Sequence, residues 1–525
     1  MTASVTLSSP LAKVWTKSDL LDLISAKMKD VRLIAVSNRE PYVHRHTKNG
    51  LACIQPASGL ATALDPVMRA SGGVWVAHGS GDADREVTDP RGHLRVPPQQ
   101  PSYTLRRVWL DKQLEDEYYY GLANEGLWPL CHNVFHRPRF SQRNWDSYRR
   151  VNRIFADAVL EEAAGQPAFV FVQDYHFGLL SRMLKNDAPN LLVAQFWHIP
   201  WPNRETLRAL PWKDELLDGM LGNDLLGFHL RHHCANFLDA VEREVEAKVN
   251  HPHGEITRRG KSTMVRPFPI SIDFDWHNET ARSAEVKAEI PRWIRRIGKM
   301  PEFLAIGIDR IDYTKGIPER LRAFDLFLDR NPRYRGRIAF AQVGVPSRER
   351  IGDYQDLNAE IDREIDRLNR KWGEGEYKPV HLFRGEYSQV QLVALHGIAD
   401  LCIVSPLHDG MNLVAKEFVA SRFDEKGVLI LSSFAGAAEE LTDALLVNPF
   451  SIDEMAGAIL RALEMPRDES RKRMRRLRAA TAENTIYRWA AKILTTLLKI
   501  DSSEPAEYGA IRGSSPAACA AGAAW

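Results

Sequence analysis

Short apolar runs that end in polar turns, each followed by a segment with helical spacing, recur along most of this chain. Val31–Val36 is the first such run, and Ser37-Asn38-Arg39 follows it. From Trp145 the alternation is regular: the pattern predicts a helix over Tyr148–Glu162, a strand over Ala168–Val172, a helix over Phe177–Lys185 and a strand over Leu191–Phe196. A helix over Leu216–Leu221, a strand over Asp224–Phe228 and a helix over Cys234–Val245 continue the series. Pro267–Asp273 reads as a linker, which puts a boundary near residue 272. A second series opens with the strand Phe303–Ile308, and its helix sets Ile317, Leu321, Phe324 and Leu328 on one face. The strand Ile338–Val343, the helix Tyr354–Trp372, an apolar run ending near Ser405, a helix over Met411–Ala420 and the strand Val428–Ser432 follow, and Phe434–Glu440 is expected to begin the next helix. Strands and helices in strict alternation predict an α/β protein, a parallel sheet wound with helices in each of two domains, residues 31–272 and 273–475.

The ends read differently. Residues 1–30 form a polar leader with one short amphipathic helix, Ser18–Met28; residues 476–501 are expected to form a helix returning to the first domain, and residues 502–525, rich in Ala, Ser, Gly and Pro, a disordered tail.

Composition narrows the class. The 525 residues are 44% hydrophobic and 26% charged, and 70 Lys+Arg against 68 Asp+Glu leave a formal charge of +2. That balance offers no global attraction to nucleic acid or a membrane surface, so an anion site must be local. The basic run Arg471–Arg478 has Met474 and Leu477 at helical spacing and reads as the solvated side of an amphipathic helix. Five scattered cysteines without C-x-x-C spacing support neither a disulfide framework nor a zinc ribbon. With no signal-peptide core and no membrane-length apolar run, a cytoplasmic protein is expected.

Candidate chemistry collects in the turns that follow strands, where an open parallel sheet holds its ligands. Arg39 stands in the first. Asp174 and His176 follow Ala168–Val172, and His198 follows Leu191–Phe196. In the second domain Arg310 and Lys315 flank a glycine-ended turn, a plausible clamp for a diphosphate, with Arg348 past the next strand. Asp409-Gly410-Met411-Asn412 is a strand, a tight turn and a helix start, whose first N–H groups can hold an anion. Small residues at Pro56–Gly59 allow close backbone approach, and Tyr118–Trp128 concentrates aromatics that pack a core or wall a sugar site.

Other motifs fail. Gly254 and Gly260-Lys261-Ser262 have the wrong spacing for a phosphate loop, and no apolar strand precedes them. His229, His232, His233 and Cys234 lack a second ligand cluster for a metal. No H-E-x-x-H, G-x-S-x-G or well-placed G-x-G-x-x-G supports a hydrolase or a dehydrogenase.

Taken together, VSNR (36–39), YY-x7-LW (118–128), DYH (174–176), HIPWP (198–202), DRIDYTKG (309–316), PSR (346–348), DGMNLVAKE (409–417) and LLVNP (445–449) resemble the trehalose-6-phosphate synthases of glycosyltransferase family 20. The resemblance covers about Val31 to Ile500. It implies the GT-B architecture, two Rossmann-like doubly wound domains facing across a cleft. It also implies retaining transfer of glucose from a nucleotide sugar, UDP-glucose by expectation, to glucose 6-phosphate, with no cofactor and no metal. By the same resemblance Arg310, Lys315, Asp174 and His198 are the catalytic set. Gly59, Arg310, Lys315, Asp409, Met411, Asn412, Leu413, Val414 and Glu417 bind the donor; Arg39, Tyr119, Trp128, Asp174 and Arg348 bind the acceptor. Small-molecule substrates and a homo-oligomer are the implied partners.

Three departures from the family pattern stand out. His408 occupies a position commonly held by Arg, Ser58-Gly59-Leu60 replaces Gly-Gly-Leu, and Arg39-Glu40-Pro41-Tyr42 is similar to glucosylglycerol-phosphate synthases, which use glycerol 3-phosphate. Tyr119, Trp128 and the DYTKG form of the donor turn favour glucose 6-phosphate, and a catalytically silent sugar-phosphate-binding homologue is the remaining alternative.

Overall fold

The computed structural model of the chain describes residues 15–27, 31–48, 50–55 and 59–502. Pro56–Ser58 of the first ligand loop, most of the tail, and residues 1–14 and 28–30 of the leader lie outside them.

Among the described residues, ten strands form the first sheet and six the second. In the first, Arg32–Arg39 is central. Val74–His78 and Tyr103–Val108 lie to one side; Ala168–Gln173, Leu192–Phe196, Leu225–Phe228 and Lys261–Pro267 lie to the other, all parallel. Antiparallel strands extend both edges, His93–Val96 at one and Glu255–Arg258 with Lys248–Asn250 at the other. In the second sheet Phe303–Arg310 is central, with Ile338–Val345 and Val380–Arg384 on one side and Leu401–Val404, Val428–Ser432 and Leu445–Val447 on the other, all parallel. Both follow the doubly wound order, in which the winding reverses once beside the first strand.

Alternation along each strand supplies both faces. Ile34, Val36, Val170 and Val172 pack with Val151, Phe155 and Val159 of the helix Gln142–Ala163. Leu33, Ala35, Phe169 and Phe171 point the other way. There they meet Trp489, Ala490 and Leu494 of the last helix, Ile486–Ser502, with Trp489 5.1 Å from Phe196 and 6.0 Å from Phe171 between ring centroids. The first helix, Lys17–Lys27, buries Leu20 and Ile24 in the same layer.

Several elements differ from the pattern-based expectation. Val74–His78, His93–Val96 and Tyr103–Val108 are strands that the pattern did not single out. Arg107 interrupts the apolar signature of Tyr103–Val108, yet it is fully buried, paired with Glu40 and Asp84 at 2.7 Å each. Gly260, with φ +76°, turns Glu255–Arg258 into Lys261–Pro267, so the stretch tested as a phosphate loop is a hairpin. The helix expected from Phe434 is only the short turn Gly436–Glu439, because the chain must enter the strand Leu445–Val447. The helix Arg467–Glu483 runs through residue 475, and the chain crosses back to the first domain at Asn484 and Thr485, where the Ile486 N–H donates to the Ile272 carbonyl (3.0 Å). In that helix Met474 and Leu477 face inward while Arg473, Arg475 and Arg476 pair with Glu469, Glu425 and Asp443. No helix among the described residues is long and apolar enough to cross a membrane.

Candidate active site

Each winding reversal leaves a crevice at the carboxyl edge of its sheet, and the polar turns open into it. In the second domain Phe303–Arg310 ends at Arg310, and the turn closes at Gly316, whose φ of +63° and 2.3 Å approach of a notional Cβ to the Ser405 carbonyl leave no room for a side chain. Lys315 on this turn reaches across the reversal to Asp409, Nζ to Oδ2 2.5 Å. Asn412, at φ +77°, caps the helix Leu413–Ser421 by accepting the Ala415 N–H and also donates to Asp409 Oδ2 (3.2 Å). Leu413, Val414 and Glu417 lie on that helix. Burial raises the Glu417 pKa, an effect that the nearby His277 partly offsets. The Met411 side chain is buried in the domain core, while its carbonyl accepts the Ala437 N–H (2.8 Å).

In the first domain the matching reversal lies between Arg32–Arg39 and Ala168–Gln173. Arg39 donates to the Tyr119 hydroxyl (3.3 Å), and the Tyr119 ring stacks on His176 at 5.8 Å. Tyr119 belongs to a π-helix, Asp116–Leu127, whose wide turns feed directly into Trp128–His132. Trp128 lies between two cations of the other domain, the Arg348 guanidinium 4.0 Å and the Arg310 guanidinium 5.4 Å from its ring centroid. Asp174, at φ +71°, accepts the N–H groups of Tyr175 (2.9 Å) and His198 (3.1 Å). His198 donates Nε2–H to Gln173 Oε1 (3.0 Å), which leaves Nδ1 as an acceptor.

The two halves touch at the turns themselves. A Cβ on Gly410 would sit 2.6 Å from the His198 carbonyl, so only glycine lets the Asp409 turn close onto His198. His408 crosses the cleft to the His132 carbonyl (2.5 Å). His229, read above as a failed metal ligand, donates to the His198 carbonyl (2.9 Å) and accepts the Ile270 N–H (3.4 Å). Among the described residues no group of three or more His, Cys, Asp or Glu is placed to hold a metal.

Charge tunes the site. Burial alone would raise Tyr119, but Arg39, Arg348 and Arg310 outweigh it and bring the phenol down to about 8. Burial raises Asp174 to about 7 against its two N–H donors and the nearby Arg310 and Arg348. Asp409, also buried, is nonetheless pulled down to about 2, chiefly by Lys315. Burial drives His198 well below its ordinary value, so the imidazole is neutral.

The structure thus brings together Arg39, Tyr119, Trp128, Asp174, His198, Arg310, Lys315, Arg348, Asp409 and Asn412. Gly59 opens the helix Gly59–Ser71, and the preceding loop residues lie outside the described part. Missed in the sequence were Asp312, Tyr175 and Tyr354, which surround Arg348, and Gln173, which holds His198. Asp312 and Tyr175 stood inside motifs already noted; Tyr354 carried no signal, lying on a helix far along the chain.

Two Rossmann-like sheets facing across a cleft, with Arg310 and Lys315 on one wall and Arg39 and Tyr119 on the other, fit the GT-B architecture of glycosyltransferases. The comparisons carry this to the family: the model of glycosyltransferase family 20 matches residues 31–499, and the chain belongs to that family. A trehalose-6-phosphate synthase of Mycobacterium avium (strain 104) is 38% identical over 472 residues, covering 88% of this chain and 94% of the relative. A solved alpha,alpha-trehalose-phosphate synthase (UDP-forming) from Burkholderia xenovorans, in complex with glucose-6-phosphate, superimposes with a TM-score of 0.79 at 31% identity over 89% of this chain and 99% of that one. A structure from E. coli bound with UDP-2-fluoro glucose gives a TM-score of 0.79, 31% identity and the same coverages of 89% and 99%.

Proposed function

We propose that the chain transfers glucose from UDP-glucose to the anomeric hydroxyl of glucose 6-phosphate, forming α,α-trehalose 6-phosphate with retention. The observation that carries the reading is the placement of Arg310, Lys315 and Asp409 at one winding reversal opposite Arg39 and Tyr119 at the other, with Arg348 of the second domain reaching across to Trp128 and Tyr175. The substrates named for the related structures support the same pairing.

In this reading Arg310, Lys315 and the N–H groups of Asn412 and Leu413 hold the donor diphosphate, Glu417 the ribose and Asp409 the glucose hydroxyls. Arg39 and Arg348 take the acceptor phosphate; Tyr119 and Trp128 line its pocket, and Asp174 and His198 contact the sugars. Same-face attack is favoured over a covalent carboxylate intermediate. The family resemblance favours this route, and Lys315 and Asn412, both on Asp409 Oδ2, build that carboxylate into the donor wall. The bond from glucose C1 to the diphosphate oxygen breaks, the acceptor hydroxyl attacks from the same side, and the leaving phosphate oxygen takes the hydroxyl proton. Arg310 and Lys315 stabilise the charge developing there.

The test is a matrix of UDP-, ADP- and GDP-glucose against glucose 6-phosphate and glycerol 3-phosphate, scored by product mass. The disaccharide phosphate from UDP-glucose and glucose 6-phosphate is expected. Turnover with glycerol 3-phosphate alone overturns the acceptor, and no product from any pair overturns the enzyme.

A further inference from the structure

We propose that Asp312 is the positioning residue of the acceptor-phosphate site: from within the donor turn it aims Arg348, and so ties the grip on one substrate to the turn that grips the other. The proposal deepens the reading of Arg348 as a phosphate ligand and rests on it.

Asp312 is wholly buried. Its Oδ1 accepts the Thr314 N–H (3.0 Å) and hydroxyl (2.9 Å), and its Oδ2 accepts Arg348 Nη1 (3.0 Å) and the Tyr354 hydroxyl (2.9 Å). Its carbonyl takes the Lys315 N–H (3.0 Å), so the residue that faces Arg348 also shapes the turn that presents Lys315. Arg348 lies past the strand Ile338–Val345 at φ +50°, where no regular element directs its side chain. Direction comes from Asp312, from Tyr354 (2.5 Å), from Tyr175 of the facing domain (3.3 Å) and from the Trp128 ring.

One donor is left over. Arg348 Nε is buried and has no hydrogen-bond partner among the described residues. A guanidinium N–H stranded in this way costs free energy, so the orientation of Arg348 must be held by its other contacts. With Nη1 committed to Asp312 and Tyr354 and Nη2 to Tyr175, the guanidinium is held in one orientation. Asparagine cannot replace the carboxylate. Four donors converge on two oxygens, and an amide offers one oxygen and an NH2 that opposes either the Thr314 pair or the Arg348 and Tyr354 pair.

The experiment compares wild type, Asp312→Asn and Tyr354→Phe by calorimetry. UDP alone reports the donor turn; inorganic phosphate and glucose 6-phosphate, each with UDP saturating, report the acceptor site. Asp312→Asn is expected to weaken phosphate and glucose 6-phosphate binding about 10-fold or more, the scale of one charge-assisted hydrogen bond. Tyr354→Phe, which keeps the ring and removes one donor to Asp312, is expected to weaken both by a smaller factor at unchanged UDP affinity. In turnover the acceptor KM rises more than kcat falls. Unchanged phosphate affinity in Tyr354→Phe, or equal losses of UDP and phosphate affinity in both variants, overturns the proposal. The phosphate titration stands whichever phosphorylated acceptor wild type uses, so a wild type that makes no product from glucose 6-phosphate counts against the proposed reaction and not against Asp312.

Discussion

Lys315 and Asp409 form the tightest charged contact at the second domain's winding reversal. The ammonium keeps Asp409 ionised, and in the proposed reaction the carboxylate would hold the ammonium where the leaving phosphate gathers charge. Lys315→Ala is therefore expected to lower the transfer rate roughly 100-fold or more, with a smaller effect on acceptor KM, in steady-state assays. Tyr119 gives a pH signature. Its pKa near 8 means a neutral phenol below that pH and a phenolate above it, set beside the two arginines that would hold the acceptor phosphate. A phenolate repels a phosphate dianion, so acceptor KM should rise above about pH 8 in the wild type and stay level in Tyr119→Phe, measured from slightly acid to alkaline pH. Strain also gathers here. Asp174, Arg348 and Asn412 all sit at positive φ without being glycine, which costs about 1–3 kcal/mol each and persists where surrounding contacts over-determine the conformation.

At the scale of elements, the site is a consequence of winding. A polar turn after a buried strand announced itself in the sequence because the strand was apolar and the turn was not; that made Arg39, Asp174, His198, Arg310, Lys315 and Asp409 legible. Strand order was not legible, and it is what brings Lys315 to Asp409 across 94 residues. Tyr103–Val108 stayed hidden because a buried Arg107, satisfied by Glu40, Asp84 and the Tyr42 carbonyl, looks like a surface charge until its partners are known. Gly410 is the contact point of the two turns. Gly410→Ala should leave each domain folded but push the Asp409 turn off the His198 carbonyl, and a misplacement of this size lowers turnover by about 100-fold. A melting temperature near wild type with kcat strongly reduced is the expected pair of results; wild-type kcat would mean that the turns need not close.

At the scale of the molecule, the two sheets are held in register by the linker as much as by the cleft. The Ile270 N–H donates to His229 of the first domain, and its carbonyl accepts the buried Lys416 Nζ (3.0 Å) of the second, itself paired with Glu440 (2.9 Å). The last helix, Ile486–Ser502, closes the circuit on the first sheet. Gly410 and His198 therefore meet as ends of two braced frames. His408, the visible departure from the family pattern, serves this bracing through the His132 carbonyl, which no reading of the motif alone would reveal. In the proposed reaction donor and acceptor meet in this cleft and the glucose is transferred with retention. The most direct measurement is NMR of the product made from UDP-glucose carrying carbon-13 at the anomeric carbon and unlabelled glucose 6-phosphate. Retaining transfer places the label in one ring only, α-linked to the anomeric carbon of the phosphorylated sugar. A β linkage, or label released as free glucose with no disaccharide phosphate, would contradict it.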